Sequence, residues 1–216
     1  MLTEEEILEL YRRANAVWFF DYRRGDPTLP HAQLTSNLCA DDYFRSDLVL
    51  QDTAIAERIG TSIAEKLAER HIAERAQWVV GSAYGGIIIS YEVARHLGVR
   101  HAYTVKDPAN PKRQLWRTEI PAGAVVLRCE DVISTRGTVR DVERAIVEKN
   151  PEPVTVLSDV ATIVCHSGSG IDDIDITWLA TTRVKIWHQD ECPLCRDRSP
   201  RLPPKENWEK FVHPRA

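Results

Sequence analysis

The sequence has few of the features that mark secreted, membrane-spanning or nucleic-acid-binding proteins. Its densest apolar run, residues 85–91, is far too short to cross a bilayer. Its acidic beginning has no signal-peptide pattern, so we expect a cytoplasmic protein with no membrane partner. The net charge of −4 gives no support for a nucleic-acid partner. The five cysteines are an odd and mostly dispersed set, which suits a reducing compartment.

One stretch, residues 124–138, carries most of the information about function. Four of its first five residues are apolar, which predicts a buried strand. The acidic pair Glu130 and Asp131 follows, and then residues 134–138, which are small and hydroxylic apart from Arg136. Apolar residues then recur at helical spacing, at Val139, Val142 and Ile146. The pattern predicts a strand, an acidic pair, a short loop and a helix.

Such a loop can bind a phosphorylated sugar. The backbone N–H groups of the loop and of the helix N-terminus suit a phosphate, and the hydroxyls of Ser134, Thr135 and Thr138 can add donors. Two adjacent carboxylates suit the vicinal hydroxyls of a sugar or a hard cation such as Mg²⁺. The alternative is an ordinary turn with a solvated acidic pair.

This arrangement resembles the 5-phosphoribosyl 1-diphosphate (PRPP) motif of the type I phosphoribosyltransferases. Glu before Asp is most like the orotate phosphoribosyltransferases. The resemblance implies that PRPP is the co-substrate, that Glu130 and Asp131 hold the ribose and Mg²⁺, and that residues 134–138, with Gly137, hold the 5-phosphate. Arg136 stands where the family has Gly. It could turn outward or grip the phosphate at a negative φ, or it could fill the phosphate site.

A second glycine-rich turn, Gly81–Gly86, follows a short apolar strand and precedes a helix that reaches Leu97. It resembles the diphosphate loop of the same family, although Gly85 replaces a PRPP-binding Lys. The resemblance implies PRPP contacts from Ser82, Ala83, Tyr84, Gly85 and Gly86. The alternative is a tight turn that lets the helix pack on the strand.

The next strand, residues 99–105, is followed by Lys106 and a proline-bearing basic segment. That segment resembles the family's mobile catalytic loop, which reaches a neighbouring subunit. The resemblance implies catalytic roles for Lys106, Lys112 and Arg113 alongside Asp131. It also implies a homodimer with residues 107–115 mobile. A solvated basic loop is the alternative for Lys112 and Arg113.

Residues 31–44 resemble the family's N-terminal segment, which forms a hood over the base. The resemblance implies contacts to the base from Ser36 and Tyr43. Asn37 replaces the usual Gly, although Asn tolerates similar backbone angles. A polar turn before an edge strand is the alternative interpretation.

The tail contains the clustered cysteines, Cys192 and Cys195, with His188 nearby. Structural zinc needs four ligands, and the local sequence supplies three. We therefore favour structural thiols over a zinc ion completed by His188 and one more ligand, and zinc over a redox disulfide.

The resemblance implies a type I phosphoribosyltransferase-like α/β fold, with a central parallel sheet flanked by helices. We expect one structural domain with an N-terminal helix and hood segment at 1–50, a core at 51–170 and C-terminal strands with the cysteine tail at 171–216. The helices include 3–19, and short strands are expected at 174–179 and 182–187. The implied reaction is phosphoribosyl transfer from PRPP to a base, with orotate favoured. The alternatives are another base or a non-catalytic nucleotide-binding relative.

Overall fold

A computed structural model describes residues 1–26, 28–166 and 174–213, and the side chains of residues 111 and 112 lie outside that description. No helix within these ranges is long and apolar enough to cross a membrane. The helices and strands, in chain order, are α1 (Glu4–Arg13), β1 (Val17–Phe19), β2 (His31–Gln33), β3 (Cys39–Ala40), β4 (Asp42–Phe44), α2 (Ser46–Leu50), α3 (Thr53–Glu69), β5 (Trp78–Ser82), α4 (Gly85–Leu97), β6 (Arg100–Asp107), β7 (Asn110–Leu115), β8 (Val125–Ile133), α5 (Gly137–Lys149), β9 (Thr155–His166), β10 (Asp175–Thr182), β11 (Ile186–Trp187), α6 (Pro193–Arg196), β12 (Arg201–Leu202) and α7 (Pro204–Val212).

The centre of the fold is a six-stranded sheet in the order β10-β9-β8-β5-β6-β7. Its strands pair in parallel except β7, which runs antiparallel to β6 at one edge. Helices cover both faces of the sheet, and consecutive apolar side chains of β5 point to opposite faces. Val79 packs in the cluster that contains α3 and α4, and Val80 packs in the cluster that contains α5. The predicted parallel sheet flanked by helices is confirmed.

Local capping signals account for several element boundaries. Thr3 and Glu6 form a capping box at the start of α1, and Asp52 accepts hydrogen bonds from the N–H groups of Ala54 and Ile55 at the start of α3. The predicted helix over 3–19 is wrong for its last six residues. Asn15 takes a left-handed φ of 48°, and the N–H of Ala16 bonds to the carbonyl of Tyr11, which ends the helix and lets β1 begin.

A smaller unit lies at the carboxyl ends of the parallel strands and is assembled from both ends of the chain. We call it the hood. It consists of the four-stranded sheet β11-β3-β2-β12, the pair β1-β4 and α7. Trp208 and Phe211 of α7 pack against Ala32 and Ala40. The expected strand at 182–187 is shorter than predicted, because residues 183–185 form no regular ladder and the N–H of Lys185 bonds instead to Asp41.

The loop predicted after β6 is wrong for residues 110–115, which form the second strand of a hairpin. The mobility expected of residues 107–115 stays a prediction. Val105 pairs with Leu115 and Lys106 pairs with Gln114, so ladder hydrogen bonds bind much of the segment's backbone to β6. The Gly- and Ser-rich residues 166–170 predict a flexible loop, and apart from His166 they lie outside the described residues.

Candidate active site

A cavity of about 490 Å³ lies between the hood and the carboxyl ends of the central strands. Ligands of parallel α/β sheets bind at this edge. The cavity brings together most of the residues singled out in the sequence: Ser36, Tyr43, Ser82, Ala83, Tyr84, Gly85, Lys106, Glu130, Asp131, Ser134, Thr135 and Thr138.

The acidic pair lies beneath the glycine-rich turn. Both carboxylates belong to β8 itself, so the strand continues past the point at which the sequence pattern ended it. The hydroxyl of Ser82 donates to Glu130 Oε2 at 2.8 Å. A Cβ on Gly85 would lie 2.2 Å from Asp131 Oδ2, and one on Gly86 would lie 2.9 Å from Glu130 Oε2. A side chain at either position would need the facing carboxylate to shift, so the two glycines let the turn lie directly against the acids.

Burial makes both acids difficult to ionise. It raises the pKa of Glu130 to about 8, with a further contribution from Asp131, against the opposing effects of the Ser82 hydroxyl and the Lys106 charge. Burial also raises the pKa of Asp131, and the Ser46 hydroxyl partly opposes it. A ligand that supplies hydroxyl donors or a cation would favour the charged forms.

The loop before α5 presents hydroxyls to the same cavity. Ser134, Thr135 and Thr138 line it at the N-terminal end of the 13-residue helix α5. Arg136 is the N-cap and takes a φ of 60°, so the negative φ considered for it is wrong. It occupies the left-handed conformation that a glycine adopts without strain, which fits the family's preference at this position.

Some of the predicted site residues do not line the cavity. Among the described residues these are Gly86, Arg113, Arg136 and Gly137. Arg113 is exposed on β7, away from the cavity of its own chain. Burial raises the pKa of the Cys165 thiol, and the positive charge of Arg136 opposes that rise, so the guanidinium lies near β9. Lys112 belongs to β7, and its side chain lies outside the description.

A buried acid–imidazole pair in the cavity wall was not predicted from the sequence. His166 Nε2 lies 3.4 Å from Asp42 Oδ2, which also accepts a hydrogen bond from the Thr182 hydroxyl at 3.2 Å. Burial raises the pKa of Asp42 to about 7 and lowers that of His166 to about 4. His166 is the last residue of β9. Its position at the end of a strand was the signal that could have marked it as a site residue. Asp42 comes from the hood, 124 residues away, and had no local signal.

The cysteine tail has partners that the local sequence did not indicate. Cys192 and Cys195 lie with His31 and Cys39, and the four ligand atoms are all within 4.8 Å of one another. His188 is exposed and is not a member of this group, so the alternative in which His188 completes a zinc site is wrong.

Comparisons with known proteins agree with this geometry. The model of the phosphoribosyl transferase domain family matches residues 48–194. The orotate phosphoribosyltransferase of Desulforamulus reducens is 32% identical over 205 residues, which cover 94% of this chain and 97% of that protein. The orotate phosphoribosyltransferase of Caldanaerobacter subterraneus is 29% identical, with 94% and 97% covered.

Solved structures share the fold at lower sequence identity. The orotate phosphoribosyltransferase of Aeropyrum pernix superposes with a TM-score of 0.58 at 16% identity, covering 81% of this chain and 93% of that one. The enzyme of that name from Mycobacterium tuberculosis, solved with inorganic phosphate, gives a TM-score of 0.55 at 17% identity, with 81% and 95% covered.

Proposed function

The chain belongs to the phosphoribosyltransferase family, and from that premise we propose that it transfers the phosphoribosyl group of PRPP to orotate, releasing diphosphate. The relatives named for this activity match 94% of the chain, so the match extends beyond the central sheet. Agreement over that length supports the activity more strongly than a match to the central sheet alone, because fold by itself does not determine function.

The observation that carries the proposal is the position of the acidic pair. Glu130 and Asp131 lie between the glycine turn at Gly85 and the hydroxyl loop at 134–138. A ribose held by the acids has its 5-phosphate directed to the loop and its diphosphate to the turn. Binding of these remote groups positions the sugar carbon for attack.

The acids also have the chemistry of a magnesium site. Glu130 Oε1 is buried with no hydrogen-bond partner among the described residues, and carboxylate oxygens are the ligands that Mg²⁺ prefers. When bound, Mg²⁺ would neutralise negative charge on the departing diphosphate. Lys106 lines the same cavity and supplies a further positive charge where that negative charge grows.

A second candidate is the same transfer to a different nitrogenous base. Orotate carries a carboxylate, and the acidic side chains of Asp42 and Asp47, which line the same cavity, do not favour a negatively charged base. Within the described part of the chain, the cationic side chains that line the cavity are Lys106 and Lys205. The Asp42–His166 pair could instead recognise a ring that carries both donors and acceptors.

Incubation with PRPP, Mg²⁺ and a panel of bases tests both candidates, with diphosphate release as the signal. Release with orotate supports the first candidate, and release with another base alone supports the second. No release with any base would contradict an enzymatic role. Asp42→Asn is the informative variant, since it should alter the preference among bases without removing the PRPP site.

The chain is further proposed to act as a cytoplasmic homodimer in which Lys112 and Arg113 serve the neighbouring subunit. Arg113 is exposed and does not line its own cavity, which leaves few cations there for the diphosphate. All five cysteines are free, which fits a reducing compartment. Light scattering should give twice the chain mass across a range of concentrations, and Arg113→Ala should lower turnover without changing that mass. A monomer at all concentrations would contradict this arrangement.

A further inference from the structure

A buried group of three cysteines and one histidine lies in the hood, away from the acidic pair. His31 and Cys39 are fully buried, Cys192 is 2% exposed, and Cys195 is partly exposed. Phe20, Trp187 and Leu194 surround the group with apolar surface. His31 and Cys39 come from β2 and β3, whereas Cys192 and Cys195 flank the start of α6, more than 150 residues later.

Three of the six distances between the ligand atoms are close to those of a tetrahedral zinc site, and all six are within 4.8 Å. Zinc–sulfur bonds of about 2.3 Å at tetrahedral angles place two thiolates about 3.8 Å apart, and a zinc-bound nitrogen about 3.6 Å from each. Cys39 Sγ lies 3.7 Å from Cys195 Sγ. His31 Nε2 lies 3.8 Å from Cys192 Sγ and 3.3 Å from Cys195 Sγ.

The hydrogen bonds around His31 fix the form of its ring. The Ser199 hydroxyl lies 2.6 Å from the carbonyl oxygen of Leu29, which can only accept, so the hydroxyl donates its one proton there. Ser199 Oγ must then accept at 2.9 Å from His31 Nδ1, which carries a proton. His31 Nε2 is left with a lone pair and lies in contact with Cys192 Sγ and Cys195 Sγ, as in zinc-bound histidines whose other nitrogen is hydrogen-bonded.

The surroundings also suit the charge of a metal–thiolate group. The N–H of Cys195 donates to Cys192 Sγ at 3.5 Å, so the positive end of that N–H group faces the sulfur. Zinc with three thiolates and a neutral imidazole has a net charge of −1. The Arg201 guanidinium lies close enough to act on the charges of both Cys39 and His31 and would offset it.

We propose that His31, Cys39, Cys192 and Cys195 bind one structural zinc ion that fastens the C-terminal tail to the N-terminal hood strands. Four protein ligands in a mostly buried setting leave no open position for a substrate, so the ion is structural rather than catalytic. Soft thiolate donors favour zinc over Mg²⁺. This assignment replaces the free-thiol interpretation of the tail.

Metal analysis of the whole protein, purified under reducing conditions without chelator, tests the proposal. We expect about one zinc per chain, and cobalt substitution should give the thiolate charge-transfer bands of a tetrahedral site. Cys195→Ser, the change at the most exposed ligand, should lower zinc content and thermal stability. Two controls should retain zinc: His188→Ala, which removes the other tail histidine, and Cys165→Ser, which removes a cysteine outside the group.

Removal and return of the metal give a readout that does not depend on any variant folding. A strong chelator with a thiol-blocking reagent should release zinc from the wild-type protein as three thiols react. Removing the ion with chelator alone, in reductant, should lower Tm, and added zinc should restore it. Three outcomes would each overturn the proposal: no stoichiometric zinc even after reconstitution in reductant, stoichiometric iron in its place, or a Cys39–Cys195 disulfide in the reduced preparation.

Discussion

Glu130 should make the folded protein less stable as pH rises above neutrality. Its side chain is 3% exposed, and its pKa is raised by burial and by Asp131 to about 8, against 4.5 when unperturbed. A group whose pKa is higher in the folded state stabilises the fold fully below its unfolded pKa, and that stability is lost as pH rises through the folded pKa. Between pH 7 and pH 9 the folded carboxyl loses its proton, while the unfolded one is already ionised.

The size of the effect follows from these two pKa values. Protonation in the folded state contributes about 1.4 kcal/mol at pH 7 and about 0.1 kcal/mol at pH 9, so the loss attributable to Glu130 is roughly 1.3 kcal/mol. For a chain of this length that corresponds to roughly 3–5 °C in Tm. Glu130→Gln removes the titrating group. Between pH 7 and pH 9, the free energy of unfolding of this variant should therefore fall by roughly 1.3 kcal/mol less than that of the wild type.

Urea unfolding of the free protein at pH 7 and pH 9 measures the difference directly. Glu148→Gln, an exposed change on α5, is the matched control and should keep the wild-type pH dependence. If the wild type and Glu130→Gln lose the same stability over this interval, the buried carboxyl is not protonated at pH 7 and the reasoning is refuted.

Three further predictions concern the same cavity. At pH 7, binding of PRPP with Mg²⁺ should release about one proton as Glu130 ionises, measured by calorimetry in buffers of different ionisation enthalpy; binding without release would contradict the raised pKa. Asp131→Asn should cut turnover and leave the circular dichroism spectrum unchanged, and wild-type turnover would remove the ribose-binding role. Arg136→Gly should relieve the left-handed strain and stabilise the fold by about 0.5–1 kcal/mol, checked by urea unfolding. If calorimetry shows that only this variant binds PRPP, Arg136 fills the phosphate site.

Local patterns in the chain were sufficient to predict the central sheet and the edge of that sheet at which the cavity lies. The Asp52 cap, the strand at β5 and the strand–loop–helix of 124–138 each depend on neighbouring residues and on apolar periodicity. Parallel strands bring their carboxyl ends to one edge, so the order of the motifs was enough to place Ser82, Lys106 and Glu130 around one cavity.

Tertiary structure alone decided the features that join distant segments. The group of His31, Cys39, Cys192 and Cys195 exists only because the two ends of the chain meet in the hood. The Asp42–His166 pair exists only because β4 of the hood packs against the end of β9. The hairpin at β7 likewise depends on pairing with β6, which overrides the loop-forming prolines of that segment. Sequence determined which elements form and in what order, because those signals are local. The hood side of the cavity and the cysteine group depend on long-range packing, which no local pattern encodes.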